Sequence, residues 1–201
     1  PGFNPNAFID RDDTQLISSY FRDSASPLLN RAIQGLYSPG SVFKIITTLS
    51  ALETGKITPV TSFMCNGSFH LGNQQFDCWE THGLQDLRQA VEHSCNVYFY
   101  HTGLMVGPDA LNHYAKEFGL GSFTGVDLPS EARGQIPSRQ QKRSVRNEPW
   151  YNGDTVNFSI GQGDVQVTPL QMVRAMAAIV NGSFPARPHL VKKVAERNVA
   201  Y

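Results

Sequence analysis

The chain has 201 residues, a length that suits one domain, and 40% of its residues are apolar, which is enough for a core. Its 17 basic and 17 acidic side chains cancel, so no excess of positive charge points to nucleic acid as a partner. No apolar run reaches the roughly 20 residues of a membrane span and no signal peptide opens the sequence, so we expect any membrane attachment to lie upstream.

The first forty residues carry few structural signals. Residues 1–26 are polar with scattered aromatic side chains, and they predict irregular structure with room for one short helix. Residues 27–34 predict a short helix that ends near Gly35. A turn at Pro39-Gly40 then precedes the most informative segment.

That segment begins at Ser41 and is apolar on every side as far as Gly55, which predicts one buried helix of about three to four turns. Ser41 and Lys44 are three positions apart and share one face of this helix. Lys44 carries the only charge between residues 32 and 52. Because burial disfavours a charged amine, we expect the pKa of Lys44 to fall.

A neutral amine beside a serine hydroxyl can accept the hydroxyl proton, so Ser41 and Lys44 form the minimum machinery of a serine nucleophile. A serine helix cap followed by a surface lysine would give the same four-residue pattern. The apolar surroundings of Lys44 instead favour a buried lysine that activates the Ser41 hydroxyl.

A second polar motif lies about fifty residues downstream. Residues 56–83 predict loops and short hairpins, and residues 84–93 predict a helix that leads into Ser94-Cys95-Asn96 and a second helix to about Met105. An isolated Ser-x-Asn is more often a helix junction that satisfies its own backbone. Beside a buried Ser-x-x-Lys, it predicts a hydroxyl that relays protons at Ser94 and a carboxamide that orients substrate at Asn96.

The rest of the chain predicts supporting structure. Gly107-Pro108 starts a helix whose apolar stripe packs in the core and which stops at Gly119, and Thr168-Pro169 caps a last helix that runs to Asn181-Gly182. Residues 120–154 predict an extended connection. The four positive charges of residues 139–146 predict a solvated face or a flank for an anionic glycan or lipid-linked substrate.

Gly161-Gln162-Gly163 lacks the Lys-Ser/Thr of a phosphate loop. We therefore expect these glycines to let two backbones pass closely beside the active site.

The three cysteines leave two arrangements open. A Cys65–Cys78 disulfide would close one loop and leave Cys95 free. Alternatively, Cys65, Cys78, His82 and Cys95 offer three thiolates and one imidazole, a set that suits a tetrahedral structural zinc ion. Such an ion would pin loops 56–83 to the Ser94 turn, and it would not be the catalyst because four protein ligands leave no open position.

The chain resembles class B penicillin-binding proteins over nearly its whole length. Ser-x-x-Lys and Ser-x-Asn are two of the motifs of penicillin-binding proteins and β-lactamases. The further segments that carry the resemblance are Pro5-Asn6, residues 29–32, 37–41, 124–128 with Glu131, 160–163 and 168–171. Residues 78–83 resemble the penicillin-binding protein 2 type, the transpeptidase of rod-shaped elongation.

The resemblance implies an α+β fold of the DD-peptidase/β-lactamase-like transpeptidase kind. Residues 1–201 would be a partial transpeptidase domain, mainly its helical lobe with most of the central antiparallel sheet missing. The Lys-Thr-Gly region, the first strands, the pedestal and the membrane anchor would all lie outside the sequence. Such an enzyme works at the periplasmic or extracytoplasmic face of the inner membrane, anchored by an N-terminal helix.

The resemblance also implies an activity. Ser41 would attack the penultimate D-Ala of a peptidoglycan stem peptide with Lys44 as base, and Ser94 and Asn96 would relay protons and orient substrate. The acyl-enzyme would crosslink two stems, and β-lactams would trap it. Some relatives of the penicillin-binding protein 2 type hold zinc near Ser-x-Asn, which supports the structural zinc at Cys65, Cys78, His82 and Cys95, and no catalytic cofactor is expected.

The elongation glycosyltransferase and scaffold proteins are the partners that the resemblance implies.

The alternatives to a transpeptidase are a D,D-carboxypeptidase, a class D-like β-lactamase, a β-lactam sensor, and a catalytically incomplete fragment or scaffold of the elongation complex. The third motif of the family, Lys-Thr-Gly, is not in the sequence, so we expect the chain alone to be inactive.

Overall fold

The architecture is given by a computed structural model, which describes residues 2–10, 13–194 and 197–198. Pro1 and Tyr201, the ends of the predicted domain, lie outside these residues. The described helices are α1 (Ala7–Asp10), α2 (Thr14–Arg22), a 3₁₀ helix (Gly40–Phe43), α3 (Lys44–Glu53), α4 (Leu87–Glu92), α5 (Asn96–Val106), α6 (Pro108–Glu117), α7 (Arg139–Arg146), α8 (Asn152–Ser159) and α9 (Pro169–Asn181). The described strands are β1 (Phe63–Cys65), β2 (Ser68–Leu71), β3 (Gln74–Asp77), β4 (Gly83–Gln85), β5 (Lys193–Val194) and β6 (Arg197–Asn198).

Within the described residues, the strands pair two by two and build no larger sheet. β1 lies antiparallel to β4, β2 and β3 form a hairpin, and β5 pairs with β6. A helix-rich chain with so little sheet is what the expected helical lobe requires. The hairpins predicted for residues 56–83 are confirmed.

Helix α5 lies at the centre of the molecule because it is apolar on every side. Residues 97–100 are all buried, and they pack with Ala51 of α3 and Val156 of α8 in one core cluster. Gly103 lets α8 approach closely, since a Cβ at this position would lie 2.3 Å from the Cβ of Ser159. A second cluster joins α3, α6, α8 and α9. Both clusters include α3, so the helix that follows Ser41 is fixed from two sides.

Several predicted elements are confirmed at their caps. The helix after Ser41 is present as the 3₁₀ helix followed by α3. α6 starts at Pro108, and α9 has a capping box from Thr168 and ends at Gly182 with a φ of 59°. Each of these ends carries a proline, a cap hydroxyl or a left-handed glycine, which are the strongest local signals in a sequence.

The helix predicted for residues 27–34 is wrong, because this segment forms turns. Asn30 and Gln34 are responsible: the amide oxygen of Gln34 accepts from the backbone N–H of Asn30, and that of Asn30 accepts from Ala32. These local bonds compete with a helical ladder. Residues 1–26 contain two helices rather than one, and Asp13 caps α2 through the N–H of Leu16 at 2.9 Å.

Two further boundaries differ from the sequence prediction. Leu84 and Gln85, predicted as the start of a helix, belong to strand β4, and α4 starts only after the capping box of Asp86. Residues 120–154 are not an extended connection throughout, since they contain α7 and the start of α8. The four positive charges predicted for a solvated face lie on α7, but one of them is not solvated. Lys142 is buried, and its Nζ lies 2.6 Å from Asp154 Oδ2.

Candidate active site

Three polar side chains form a continuous hydrogen-bonded chain at the start of α3 and α5. The Oγ of Ser94 lies 2.9 Å from the Oγ of Ser41 and 2.9 Å from the Nζ of Lys44. The Nζ of Lys44 also donates to the Ser94 carbonyl at 2.6 Å and to Asn96 Oδ1 at 2.7 Å. All four predicted residues therefore meet at one point, and Ser94 is the bridge between Lys44 and Ser41.

Lys44 is buried although its partners are all uncharged. It is 2% exposed, and its Nζ lies 5.5 Å from the ring centre of Phe99. Burial lowers the pKa of Lys44 to about 8, against an opposing effect of the nearby Cys78 and Cys95. An amine with this pKa is partly neutral near pH 7.5, which lets it act as a base for a hydroxyl.

Ser41 itself is exposed, because it occupies the 3₁₀ turn before α3. The turn is held by the Gly40 N–H, which donates to the Gly161 carbonyl at 3.0 Å. A Cβ at Gly161 would lie 2.4 Å from the Gly40 oxygen and 2.5 Å from the Cβ of Phe43. Glycine at this position thus allows the close passage of two backbones that the sequence predicted.

The Ser94 turn is set by its own backbone and by the loop after β3. Ser94 has a φ of 51°, and Asn96 is the first residue of α5. The Asn96 carboxamide donates to the Asp77 carbonyl at 3.3 Å, and the Asn96 backbone N–H donates to Cys78 Sγ at 3.2 Å. The sequence did not indicate the contact at Asp77, because a backbone carbonyl leaves no trace in residue type.

The three cysteine thiols are free, so the structure contains no Cys65–Cys78 disulfide. Instead the ligand atoms of Cys65, Cys78, His82 and Cys95 all lie within 4.8 Å of one another. The Nδ1 of His82 is 3.5 Å from the sulfur of Cys65 and 3.5 Å from that of Cys78. Tetrahedral bonds of about 2.3 Å to sulfur and 2.0–2.1 Å to nitrogen imply a separation of about 3.5 Å. The two His82 separations therefore match a tetrahedral metal ion, and the four ligand atoms lie close enough together to share one.

Three thiols and one imidazole are donors that structural zinc takes. Burial raises the pKa of the Cys95 thiol to about 12, so this thiol stays protonated near neutral pH unless a bound metal ion displaces its proton. The loop that carries His82 is braced by Trp79, whose indole N–H donates to the His93 carbonyl at 3.1 Å. The His93 ring lies parallel to the His82 ring, with centroids 5.8 Å apart. The sequence had left His93 and Trp79 without a role.

The sequence matches the family of the penicillin-binding protein transpeptidase domain over residues 1–200. The peptidoglycan D,D-transpeptidase MrdA of Salmonella typhimurium is 38% identical over 195 residues, which are 95% of this chain and 31% of that protein. The chain thus spans about a third of the length of the curated relatives it matches.

Solved structures of the same kind share the fold. Penicillin-binding protein 2 of Helicobacter pylori, in its complex with MreC, is 37% identical with a TM-score of 0.83, over 88% of this chain and 33% of that one. The imipenem acyl-enzyme of penicillin-binding protein A from M. tuberculosis is 31% identical with a TM-score of 0.79, over 96% of this chain and 44% of that one. In the part of the chain that the structure describes, no helix is long and apolar enough to cross a bilayer.

Proposed function

Because this chain belongs to the penicillin-binding protein transpeptidase family, we propose that it supplies the nucleophile and the proton relay of a peptidoglycan D,D-transpeptidase. The observation that carries the proposal is the hydrogen-bonded chain from Ser41 through Ser94 to the buried Lys44. The substrate is the D-Ala-D-Ala end of a stem peptide. The residues correspond to the helical lobe of a larger transpeptidase domain.

Acylation begins with neutral Lys44. As the Ser41 oxygen attacks the penultimate D-Ala carbonyl, its proton passes to Ser94 Oγ, and the Ser94 proton passes to Lys44 Nζ. The geometry supports this relay, since each step spans 2.9 Å. As the C–N bond to the terminal D-Ala breaks, the proton passes from Lys44 Nζ to Ser94 Oγ, and the Ser94 proton passes to the departing D-Ala nitrogen.

The tetrahedral oxyanion needs two hydrogen-bond donors. One is the backbone N–H of Ser41, by family resemblance, and the other comes from the Lys-Thr-Gly strand, which also holds the substrate carboxylate. Asn96 orients the substrate amide while its Oδ1 accepts from Lys44. An amine of a second stem then attacks the acyl carbon, forms the C–N bond and releases Ser41.

We assign a structural zinc ion to Cys65, Cys78, His82 and Cys95. When bound, zinc supplies folding energy and holds three thiolates together, without an open position for chemistry. Cys95 lies between Ser94 and Asn96, so the ligands fix the catalytic turn directly. The 3.5 Å separations of His82 Nδ1 from the sulfurs of Cys65 and Cys78 support this assignment.

The names of the relatives support a proposal about partners. Penicillin-binding protein 2 of Helicobacter pylori forms a complex with MreC, and another structural relative belongs to a peptidoglycan synthase complex that coordinates polymerization and crosslinking. We propose that the protein works with a scaffold protein and a glycosyltransferase, at the periplasmic face of the inner membrane. β-Lactams are its covalent inhibitors, as imipenem is for penicillin-binding protein A.

A fluorescent penicillin tests the proposal. The full-length protein is expected to carry a stable label on Ser41, located by peptide mapping, and the Ser41→Ala variant none. Label that turns over rapidly would indicate a β-lactamase, and its absence in the wild type would favour the scaffold alternative; either result contradicts the transpeptidase. Label on the full-length protein but not on residues 1–201 alone would show that the third motif is required for acylation.

A further inference from the structure

The relay residue Ser94 has a backbone conformation that serine rarely adopts. Its φ of 51° lies in the left-handed region, which is costly for any residue with a Cβ. Ser94 follows His93, the C-cap of α4, and the two N–H groups after that cap close the helix end. The Ser94 N–H donates to the Val91 carbonyl at 3.2 Å, and the Cys95 N–H donates to the Ala90 carbonyl at 2.9 Å. Glycine is the preferred residue at this position of a helix end, so the conformation of Ser94 must be held by its surroundings.

Three consecutive residues of the loop after β3 contact the Ser94 turn. The Asp77 carbonyl accepts from the Asn96 carboxamide at 3.3 Å, and the Cys78 sulfur accepts from the Asn96 N–H at 3.2 Å. These two contacts hold the residue after the turn. The indole N–H of Trp79 donates to the His93 carbonyl at 3.1 Å, so it holds the residue before the turn.

Lys44 completes the grip on the relay serine. Its Nζ donates to the Ser94 carbonyl at 2.6 Å, while Trp79 donates to the carbonyl of the preceding residue. Because these two carbonyls belong to the two peptide planes that flank Ser94, the two bonds together fix its φ and ψ. In this conformation the Ser94 Oγ lies 2.9 Å from the Oγ of Ser41.

Trp79 contributes little to the core, because it is 64% exposed. Its polar atom is nevertheless used, in the bond to the His93 carbonyl. The alternative role is in the metal loop, since the Trp79 ring packs edge-on against the His82 ring with centroids 5.0 Å apart. The two roles use different parts of the side chain, the N–H for the turn and the ring for His82.

We infer that Trp79 is a positioning residue for the proton relay. Its indole N–H, acting through the His93 carbonyl, holds the Ser94 hydroxyl between Ser41 and Lys44. The inference rests on the proposed function and adds a residue that does not touch the reacting atoms. Without this N–H, the peptide before Ser94 is free to leave its left-handed conformation, and the hydroxyl loses its alignment.

The test removes the N–H in two ways and measures penicillin acylation of the full-length protein. Trp79→Phe keeps an aromatic ring, and a second variant carries benzothienylalanine at this position, in which sulfur replaces the N–H and the ring keeps its size. We expect the acylation rate constant to fall about tenfold in both, as for a lost hydrogen bond that misplaces a catalytic group.

The other tryptophan of the sequence is the matched control. The Trp150 indole N–H donates to Thr155 Oγ1 at 2.8 Å, so Trp150→Phe loses the same kind of bond away from the Ser94 turn. Its acylation rate should stay within about twofold of wild type, because a single neutral hydrogen bond contributes only modestly to stability.

A double-mutant cycle shows whether Trp79 acts through the Ser94 hydroxyl. In the Ser94→Ala background, whose slow acylation is followed over hours by mass spectrometry, Trp79→Phe should change the rate by less than about twofold, since the group that it positions is already gone. A tenfold loss in both backgrounds would overturn the inference, because general damage to the fold adds to the loss of the hydroxyl.

Two further results would overturn the inference. A sulfur-containing variant that acylates at the wild-type rate would show that the ring, not the N–H, is needed. A loss of zinc in the Trp79 variants, in parallel with activity, would assign the residue to the metal loop; we expect their zinc content to equal that of the wild type. Failure of the proposed function looks different, because the wild-type protein would not be acylated at all.

Discussion

Replacing Lys44 by methionine is expected to lower the rate of penicillin acylation by about 10³-fold, within the range of a general base. Methionine keeps the length and the apolar stem of lysine, so the core around Phe99 stays filled. The variant loses the amine that accepts a proton from Ser94 while Ser94 accepts the proton of Ser41. Stopped-flow acylation with a fluorescent penicillin measures the effect.

The other buried lysine provides the matched control. Lys142 is 8% exposed and pairs with Asp154, so Lys142→Met leaves a half-buried carboxylate unpaired and should lower the free energy of unfolding. Its acylation rate should nevertheless stay within about twofold of wild type. Equal loss in the two variants would mean that stability, not proton transfer, explains the effect at Lys44.

Removing one cysteine of the metal cluster is expected to have the second largest effect. Cys65 is distant in sequence from the catalytic turn and fully buried, so Cys65→Ser tests the metal without changing a neighbour of Ser94. We expect the zinc content to fall from about one ion per chain to below about 0.1, because a structural site needs all four ligands. Thermal stability should fall sharply, since metal binding is part of the folding free energy.

Acylation should fall with the metal, by about tenfold or more, because Cys78 and Cys95 hold the turn that carries Ser94 and Asn96. His70→Ala is the control: His70 is exposed on β2, outside the cluster, and should keep both zinc and activity. Elemental analysis and differential scanning calorimetry measure the outcome. Wild-type protein without metal and with a Cys65–Cys78 disulfide would refute the zinc assignment.

The sequence was sufficient to propose Ser41 and Lys44 as a catalytic pair because local helix geometry places both on one face. Residues three positions apart on a helix share a face, and an apolar run indicates burial without any knowledge of the fold. The sequence also predicted a proton relay at Ser94, but it could not show that this hydroxyl reaches Lys44. The two residues are fifty positions apart, and only the packing of α3 against α5 brings Ser94 Oγ to 2.9 Å from Lys44 Nζ.

The missed helices have a physical reason as well. α7 consists mostly of charged and amide side chains, so no apolar stripe marks it as a helix in the sequence. α8 contains asparagine, glycine and threonine, which have low helix propensity. α8 forms because Val156 and Phe158 are buried in the core and because Asp154 accepts from the backbone of Tyr151. Tertiary burial outweighs local propensity there.

The pH dependence of penicillin acylation tests most directly whether neutral Lys44 is the base. Because only the unprotonated amine accepts a proton, the rate constant should rise about tenfold per pH unit at low pH and level off above about pH 8, where Lys44 is deprotonated. The Lys44→Met variant should show no such rise. A wild-type rate that is flat from pH 6 to 9, or that levels off only near the ordinary lysine pKa of about 10.4, would contradict the account.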